Sequence, residues 1–481
     1  MTEATSPLPP SAEQLTEHLR RQRAAFYAEG LASAAVRRDR LRRVIEILKR
    51  DVDAICHAAD SDFGGRHRVT TLSMDIQAAV AALKHAESNV AGWMRPDRRP
   101  SVPLFNLFGA RAELQYQPKG VVGIVGTWNA PLFTVLAPLA SVFAAGNRAM
   151  LKPSDQSPNM AQWLQAAVAR SFEPLELSVV VGDVSVAQAF SRLPFDHLVF
   201  TGGHAVGRAI MHSAAENLTP LTLELGGKCP VIIGRDADLK HAAERIAVGR
   251  SQNGGQICVT PDTVYVPGAG LEPFLAAFRE CWAGMFPAPP QNLDVTSIAS
   301  PRQLARIDEW LAEARTAGTR IETLGPVDAN GASRRRPLHL VIAPPVDSGI
   351  ARHEIFGHAM IVAPYDHLDQ VIAAIQNGST PLALYYFGRD RAECTRVLEH
   401  TRSGGVAIND VLMHVALTAV PFGGAGGSGM GVYQGREGFQ QYSDLRGVYR
   451  AGWWDPRRAL GMLPPYSAKF AQLLERAIRR A

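Results

Sequence analysis

The heptapeptide NGGQICV, Asn253 to Val259, sets one cysteine behind a pair of glycines. A cysteine attacks as its thiolate, so a nucleophilic Cys258 needs a base or a lowered pKa, small neighbours beside its approach path, and donors for the oxyanion that addition creates. Gly254 and Gly255 supply the small neighbours. Glu224, in LELGGK, is a carboxylate inside an apolar run beside two glycines. Burial there would raise its pKa toward neutrality and suit it to accept a proton. Asn129, in TWNAP, is an uncharged amide at a predicted strand end, able to donate to an oxyanion beside the backbone N–H of Cys258. Each has a plain alternative: core filler for the cysteine, ion-pair partner for the glutamate, turn former for the asparagine. Taken singly, the residues leave both readings open; only their joint occurrence favours chemistry.

Two further stretches have the composition of a phosphate- and ribose-binding edge. FDHLVFTGGHAVGRAIM reads as a strand, then Gly202, Gly203 and Gly207, then a helix whose first N–H groups could face a cofactor phosphate. The spacing is GGxxxG, and glycines at such a turn equally serve tight turning and packing. LKPSD ends another predicted strand, where Lys152 and Asp155 could hold the hydroxyls of a ribose. A lysine followed by a helix N-cap aspartate is the competing reading.

These residues need a scaffold, and the chain is long enough for one: 481 residues predict two or three domains at roughly 100 to 200 residues each. Glu13 to about Ala91 is rich in Ala, Arg and Leu, with apolar residues at helical spacing, and predicts a helical leading section. A Pro- and Arg-rich linker follows. Short apolar runs (GVVGIVG, NRAMLK, LSVVVG, HLVFTGG) then alternate with helical stretches, which predicts a parallel sheet covered by helices, a nucleotide-binding architecture in outline. After LELGGK a second α/β unit begins, with DTVYV, LHLVIA and GGVAIN as strands. The basic clusters RRDRLRR and MRPDRRP read as solvated surface. A net charge of +5 is too small for this length to imply nucleic acid binding. Five widely spaced cysteines without a CxxC pair argue against a disulfide framework and against a zinc site, so no metal is expected. The first residues lack a secretory signal and no apolar run is long enough to span a bilayer, which makes the cytoplasm the default.

Taken in order, GTWNAP, LKPSD, FTGGHAVG, LTLELGGK, NGGQICVTPD, HEIFG and PFGGAGGSGMG resemble the aldehyde dehydrogenase superfamily over nearly the whole chain, and its class 3 branch in particular. The resemblance implies an α/β fold of a Rossmann-like cofactor domain, an α/β catalytic domain and a β-strand oligomerisation arm. The corresponding division is a leader over 1–12, helices and cofactor domain over 13–225 with arm strands near 108–120, a catalytic domain over 226–420, a return segment and oligomerisation strand over 421–450, and a tail helix over 451–481. It implies Cys258 as nucleophile, Glu224 as general base and Asn129 in the oxyanion hole. NAD, with NADP open because Asp155 stands where a longer glutamate is common, would be held by Trp128, Lys152, Asp155, Gly202, Gly203, Gly207, Glu354 and Phe356. The implied reaction is oxidation of an aldehyde, aromatic or hydrophobic and resembling coniferyl aldehyde, to the acid through a thioester, in a homodimer. Ala130, His353 and His358 depart from the family pattern and put the neighbouring loops in doubt. The basic amphipathic tail, PPYSAKFAQLLERAIRR, raises the expectation of a gate over the substrate tunnel, of a weak membrane-surface contact, or of docking on its own subunit or a partner.

Overall fold

A computed structural model of the chain describes residues 10–287, 292–325 and 333–480. Of the expected leader, residues 1–9 lie outside the described residues, and Ser11 already caps the first helix, Ala12–Glu29. Helices Ala34–Arg50, Val52–Phe63 and Ala78–Trp93 follow, with a π-helical segment at Leu72–Gln77. The solvated-face reading of RRDRLRR is corrected here. Arg37 and Arg40 are buried, Arg37 donating to the carbonyls of Ala32 and Ala144, and Arg40 pairing with Glu29 at 2.9 Å and Glu176 at 2.7 Å. Burial of these cations is tolerated because carbonyls and carboxylates replace their water.

The chain from Val121 builds a six-stranded sheet in the order Gly429–Met430, Leu221–Leu225, His197–Gly202, Val121–Val125, Arg148–Lys152, Leu177–Val179. All neighbours are parallel except the two-residue return strand, which runs against Leu221–Leu225. The chain lays down Val121–Val125 and the two strands on one side of it, then crosses to the other side at His197–Gly202. That reversal opens a crevice at the carboxyl ends of the strands, where parallel sheets take their ligands. Behind the sheet, helix Phe133–Ala145 is apolar all round and buried from Thr134 to Ala145, as a helix enclosed on every side must be.

A seven-stranded sheet follows, in the order Arg320–Leu324, Leu338–Ile342, Ala359–Tyr365, Thr263–Pro267, Pro230–Ile233, Ala383–Phe387, Gly405–Ile408. Its strands are parallel but for the first pair. The third sheet is small and antiparallel: Ser443–Arg450 pairs along its whole length with Arg111–Pro118, whose other edge takes Asp97–Arg99. MRPDRRP, read as solvated surface, therefore holds a short strand. The tail helix Ala468–Arg480 has no buried residue, and no helix among the described residues is long and apolar enough to cross a membrane.

Candidate active site

Strand register brings the scattered motifs together. Lys152 lies opposite Val125, Phe200 opposite Val125 on the other side, and Thr201 opposite Glu224. The segments after Val125, Lys152, Gly202 and Leu225 therefore leave one edge of the sheet side by side. A cavity of about 270 Å³ at this edge is lined by Trp128, Asn129, Gly202, Gly203, Glu224, Cys258, Glu354 and Phe356, together with Thr127, Gln303 and Arg306. Eight of the eleven expected site residues thus share one space.

Cys258 stands behind a turn in which Asn253, Gly254 and Gly255 all have left-handed φ, at 52°, 63° and 76°. The expectation that the glycines clear a path to the thiol is corrected. A Cβ on Gly254 would meet the Thr296 carbonyl oxygen at 2.8 Å, and one on Gly255 the Gly357 carbonyl oxygen at 2.5 Å. The glycines permit the turn and its close approach to neighbouring backbone; neither lines the cavity. The Cys258 thiol is pushed up, not down, by burial first and then by the carboxylates of Glu224 and Glu354. A thiolate here requires that its proton be taken by a base.

Glu224 is such a group. It is buried within Leu221–Leu225; Oε1 accepts the N–H of Gly424 at 3.2 Å and Oε2 has no partner among the described residues. Burial raises its carboxyl to about 8, with the single backbone donor opposing the shift. Asn129 is buried, and its Nδ2 donates to the Gln256 carbonyl at 3.0 Å, which fixes the amide plane and commits one of its two protons.

Glu354 approaches the turn after Glu224 so closely that a Cβ on Gly226 would meet its Oε2 at 1.9 Å. Burial, and then the charge of Asp262, raise its carboxyl to about 8. Phe356 has φ 51°, a strained value for an aromatic residue, and meets Trp128 edge to face at 5.5 Å. Both histidines that depart from the family pattern have partners, although His358 Nδ1 is buried without one among the described residues. His353 stacks on Trp310 at 5.4 Å, and His358 Nε2 lies 3.2 Å from Asp308. Ala130 is buried at the turn into the helix, its carbonyl accepting from Thr134, so it does not widen the cavity that Asn129 lines.

A second cavity of about 570 Å³ adjoins the first through shared residues Thr127, Trp128, Thr201, Gly202 and Gly203, and extends to Lys152, Asp155 and the slot between helices Val184–Ser191 and His204–Ala215. Its donors suit an NAD(P) cofactor. Lys152 Nζ gives two protons to the carbonyls of Pro153 and Gly182, at 3.0 and 2.9 Å, leaving the third for a ribose hydroxyl. A Cβ on Gly203 would meet nothing within 4 Å, so the start of the helix is open to a phosphate. Gly207 differs from expectation: it is buried, lines neither cavity, and a Cβ there would meet Leu225 at 2.8 Å, so it seats the helix on the sheet.

The model of the aldehyde dehydrogenase family matches residues 9–448. The chain belongs to the aldehyde dehydrogenase family. A protein of Caulobacter vibrioides named "Probable coniferyl aldehyde dehydrogenase" is 41% identical over 470 residues, 97% of each chain. A coniferyl aldehyde dehydrogenase of a Pseudomonas species is 41% identical over 443 residues, 92% of this chain and 91% of that one. Among solved structures, the substrate-bound state of Staphylococcus aureus AldH has a TM-score of 0.89 and 30% identity, covering 95% of this chain and 98% of that one. As a member of this family the protein is an NAD(P)-dependent aldehyde oxidoreductase.

A run of aromatic rings lies close to the Cys258 segment. Tyr385, His414, Phe422, Tyr433 and Phe133 form a chain of ring contacts, with centroid separations of 5.9, 6.3, 5.4 and 6.4 Å in turn. Tyr385 donates to the Val259 carbonyl, next to Cys258. Both ring nitrogens of His414 are buried without a partner among the described residues, and burial lowers its pKa to about 4, which keeps it neutral. Sequence reasoning missed Lys228 and Asp262 although both lie inside quoted motifs. Lys228 Nζ donates to Asp262 Oδ1, and Asp262 Oδ2 accepts the N–H of Ile355, so the pair ties the Glu354 loop to the strand after Cys258.

Proposed function

We propose that Cys258, Glu224 and Asn129 carry the oxidation of an aromatic aldehyde, of the coniferyl aldehyde type, to its carboxylic acid. The observation that carries this reading is the single cavity lined by Cys258, Glu224, Asn129 and Glu354 at the carboxyl edge of the sheet. Cys258 adds to the aldehyde carbon while its proton passes to a base. Asn129 and the Cys258 backbone N–H take the oxyanion, at about 3 to 4 kcal/mol per well-aimed donor. Bound NAD(P) supplies the two-electron acceptor that converts this adduct to a thioester. Glu224 then removes a proton from water as it attacks the thioester, releasing the acid and restoring the thiol. Lys152, Asp155, Gly202, Gly203 and Trp128 would hold the cofactor along the larger cavity, with Glu354 and Phe356 at its nicotinamide end; the lining of the smaller cavity by Glu354 and Phe356 together with Cys258 supports that division.

Aromatic specificity is supported by the ring cluster behind Cys258 and by the two relatives named for coniferyl aldehyde. A hydroxylated or methoxylated ring would supply the partner that His414 lacks. We assign homodimer formation to Ser443–Arg450, an edge strand whose outer side has no strand partner among the described residues and which exposes Leu445 and Tyr449. The cytoplasm is the compartment we assign, on the support of five free thiols. The reading is tested with purified protein, NAD or NADP, and a panel of aldehydes, followed by absorbance of the reduced cofactor. Turnover of coniferyl aldehyde above that of aliphatic aldehydes is expected; preference for an aliphatic chain would contradict the assigned substrate.

A further inference from the structure

A hydrogen-bonded circuit runs from the N-terminal helices to both sides of Asn129. Asp75, in the π-helical segment Leu72–Gln77, is fully buried; such segments often mark functional positions. Its Oδ1 accepts the N–H groups of Leu132 and Phe133 at 3.0 and 3.2 Å, and its Oδ2 pairs with Arg66 at 2.7 Å. The Arg66 guanidinium lies over the Phe63 ring at 4.7 Å, and Phe63 lies 6.2 Å from Trp128. Asp75 thus holds the backbone after Asn129, while the ring that Arg66 covers borders Trp128, the residue before it.

The circuit closes through the opposite wall. The carbonyls of Gly64 and Gly65, next to Arg66, accept the hydroxyl and the N–H of Ser297, each at 2.9 Å. The Ser297 carbonyl accepts Gln256 Nε2 at 3.0 Å, and the Gln256 carbonyl accepts the Asn129 amide at 3.0 Å. Gln256 lies two residues before Cys258. Asp75, Arg66, Ser297 and Gln256 line neither of the two cavities.

We propose that Asp75 and Arg66 are positioning residues for the addition step, fixing the Asn129 amide relative to Cys258. A buried ion pair alone says little about function. Here both carboxylate oxygens are occupied, and one of them is spent wholly on the backbone that carries Asn129. The proposal rests on the role assigned to Asn129, and small misplacement of a catalytic group is enough to cost orders of magnitude in rate.

The test is a single-turnover measurement, enzyme in excess over coniferyl aldehyde, on Asp75→Asn, Asn129→Ala and the double variant, with NAD affinity and the thermal midpoint measured alongside. Asp75→Asn keeps the shape and an acceptor but removes the charge that holds Arg66. The expected result is a first turnover slowed at least about tenfold, with NAD affinity within about twofold of the parent. In the Asn129→Ala background the same change should cost less than about twofold, because the two act as a unit. Equal slowing in both backgrounds, or no slowing in the parent, overturns the proposal. An unchanged rate in Asn129→Ala defeats the role of Asn129 itself, a result distinct from loss in Asn129→Ala with none in Asp75→Asn. Should Asp75→Asn not fold, Ser297→Ala removes only the hydroxyl link to Gly64. A loss of about threefold that vanishes in the Asn129→Ala background supports the circuit, and no loss overturns it.

Discussion

One oxygen of Glu224 accepts the N–H of Gly424 at 3.2 Å, while the other is buried with no partner among the described residues. A carboxylate with one donor has lost more hydration than it has regained, which is why burial lifts its pKa to about 8. Only the deprotonated form can take a proton from water. With thioester hydrolysis limiting, kcat should rise about tenfold per pH unit below pH 8 and level off above it. A steady-state profile between pH 6 and 10, roughly the span on either side of that value, checks this. A profile flat through neutrality would contradict the assigned base.

The near contact of Gly226 with Glu354 makes a separate prediction. A methyl group on Gly226 would meet Glu354 Oε2 at 1.9 Å and must displace the carboxylate from its place in the cavity, the end proposed for the nicotinamide. Gly226→Ala should weaken NAD binding about tenfold, the scale of one charge-assisted hydrogen bond. Titration of intrinsic fluorescence with NAD measures it, and unchanged affinity would remove Glu354 from the cofactor site.

His414 offers two ring nitrogens, neither with a partner among the described residues. His414→Phe keeps the ring contacts with Tyr385 and Phe422 while deleting the polar atoms. KM for coniferyl aldehyde should rise about fivefold relative to KM for cinnamaldehyde, which lacks the ring substituents. Equal change for both substrates would show that His414 does not read them.

The tail helix Ala468–Arg480 places Phe470, Leu473, Leu474, Ala477 and Ile478 along one side, and Lys469, Arg476, Arg479 and Arg480 along the other. That arrangement suits the surface of an anionic bilayer. Sedimentation with vesicles of phosphatidylcholine and phosphatidylserine should retain the full chain, and a chain ending at residue 450 should stay in solution. Equal partitioning of the two would contradict a membrane-surface role.

Legibility in the sequence followed the range of the interactions. Cys258, Glu224 and Asn129 sit in short motifs whose neighbours announce a strand end or a tight turn; parallel strands sharing one edge bring Glu224 and Asn129 together, whereas Cys258 arrives from the segment before Thr263–Pro267 of the other sheet. The helical leading section and four strands of the six-stranded sheet were readable from apolar periodicity, whereas Arg320–Leu324, Ala359–Tyr365 and Ala383–Phe387 of the seven-stranded sheet were not. Partners distant in sequence were not. Nothing local ties Asp75 to Leu132, Arg40 to Glu176, or Lys228 to His353. Arginines that read as a solvated face turned inward because their acceptors, carbonyls for Arg37 and carboxylates for Arg40, lie on other segments. Gly207 shows the opposite failure: a glycine in a phosphate-loop pattern was needed for contact with Leu225.

The central claim is covalent catalysis at Cys258 with Glu224 clearing the intermediate. Its most direct test is mass spectrometry of Glu224→Gln after mixing with NAD and coniferyl aldehyde. The account predicts one equivalent of reduced cofactor, then a stall, with the acyl group recovered on the peptide that contains Cys258. An acyl group on another residue, or full turnover by Cys258→Ala, would contradict it.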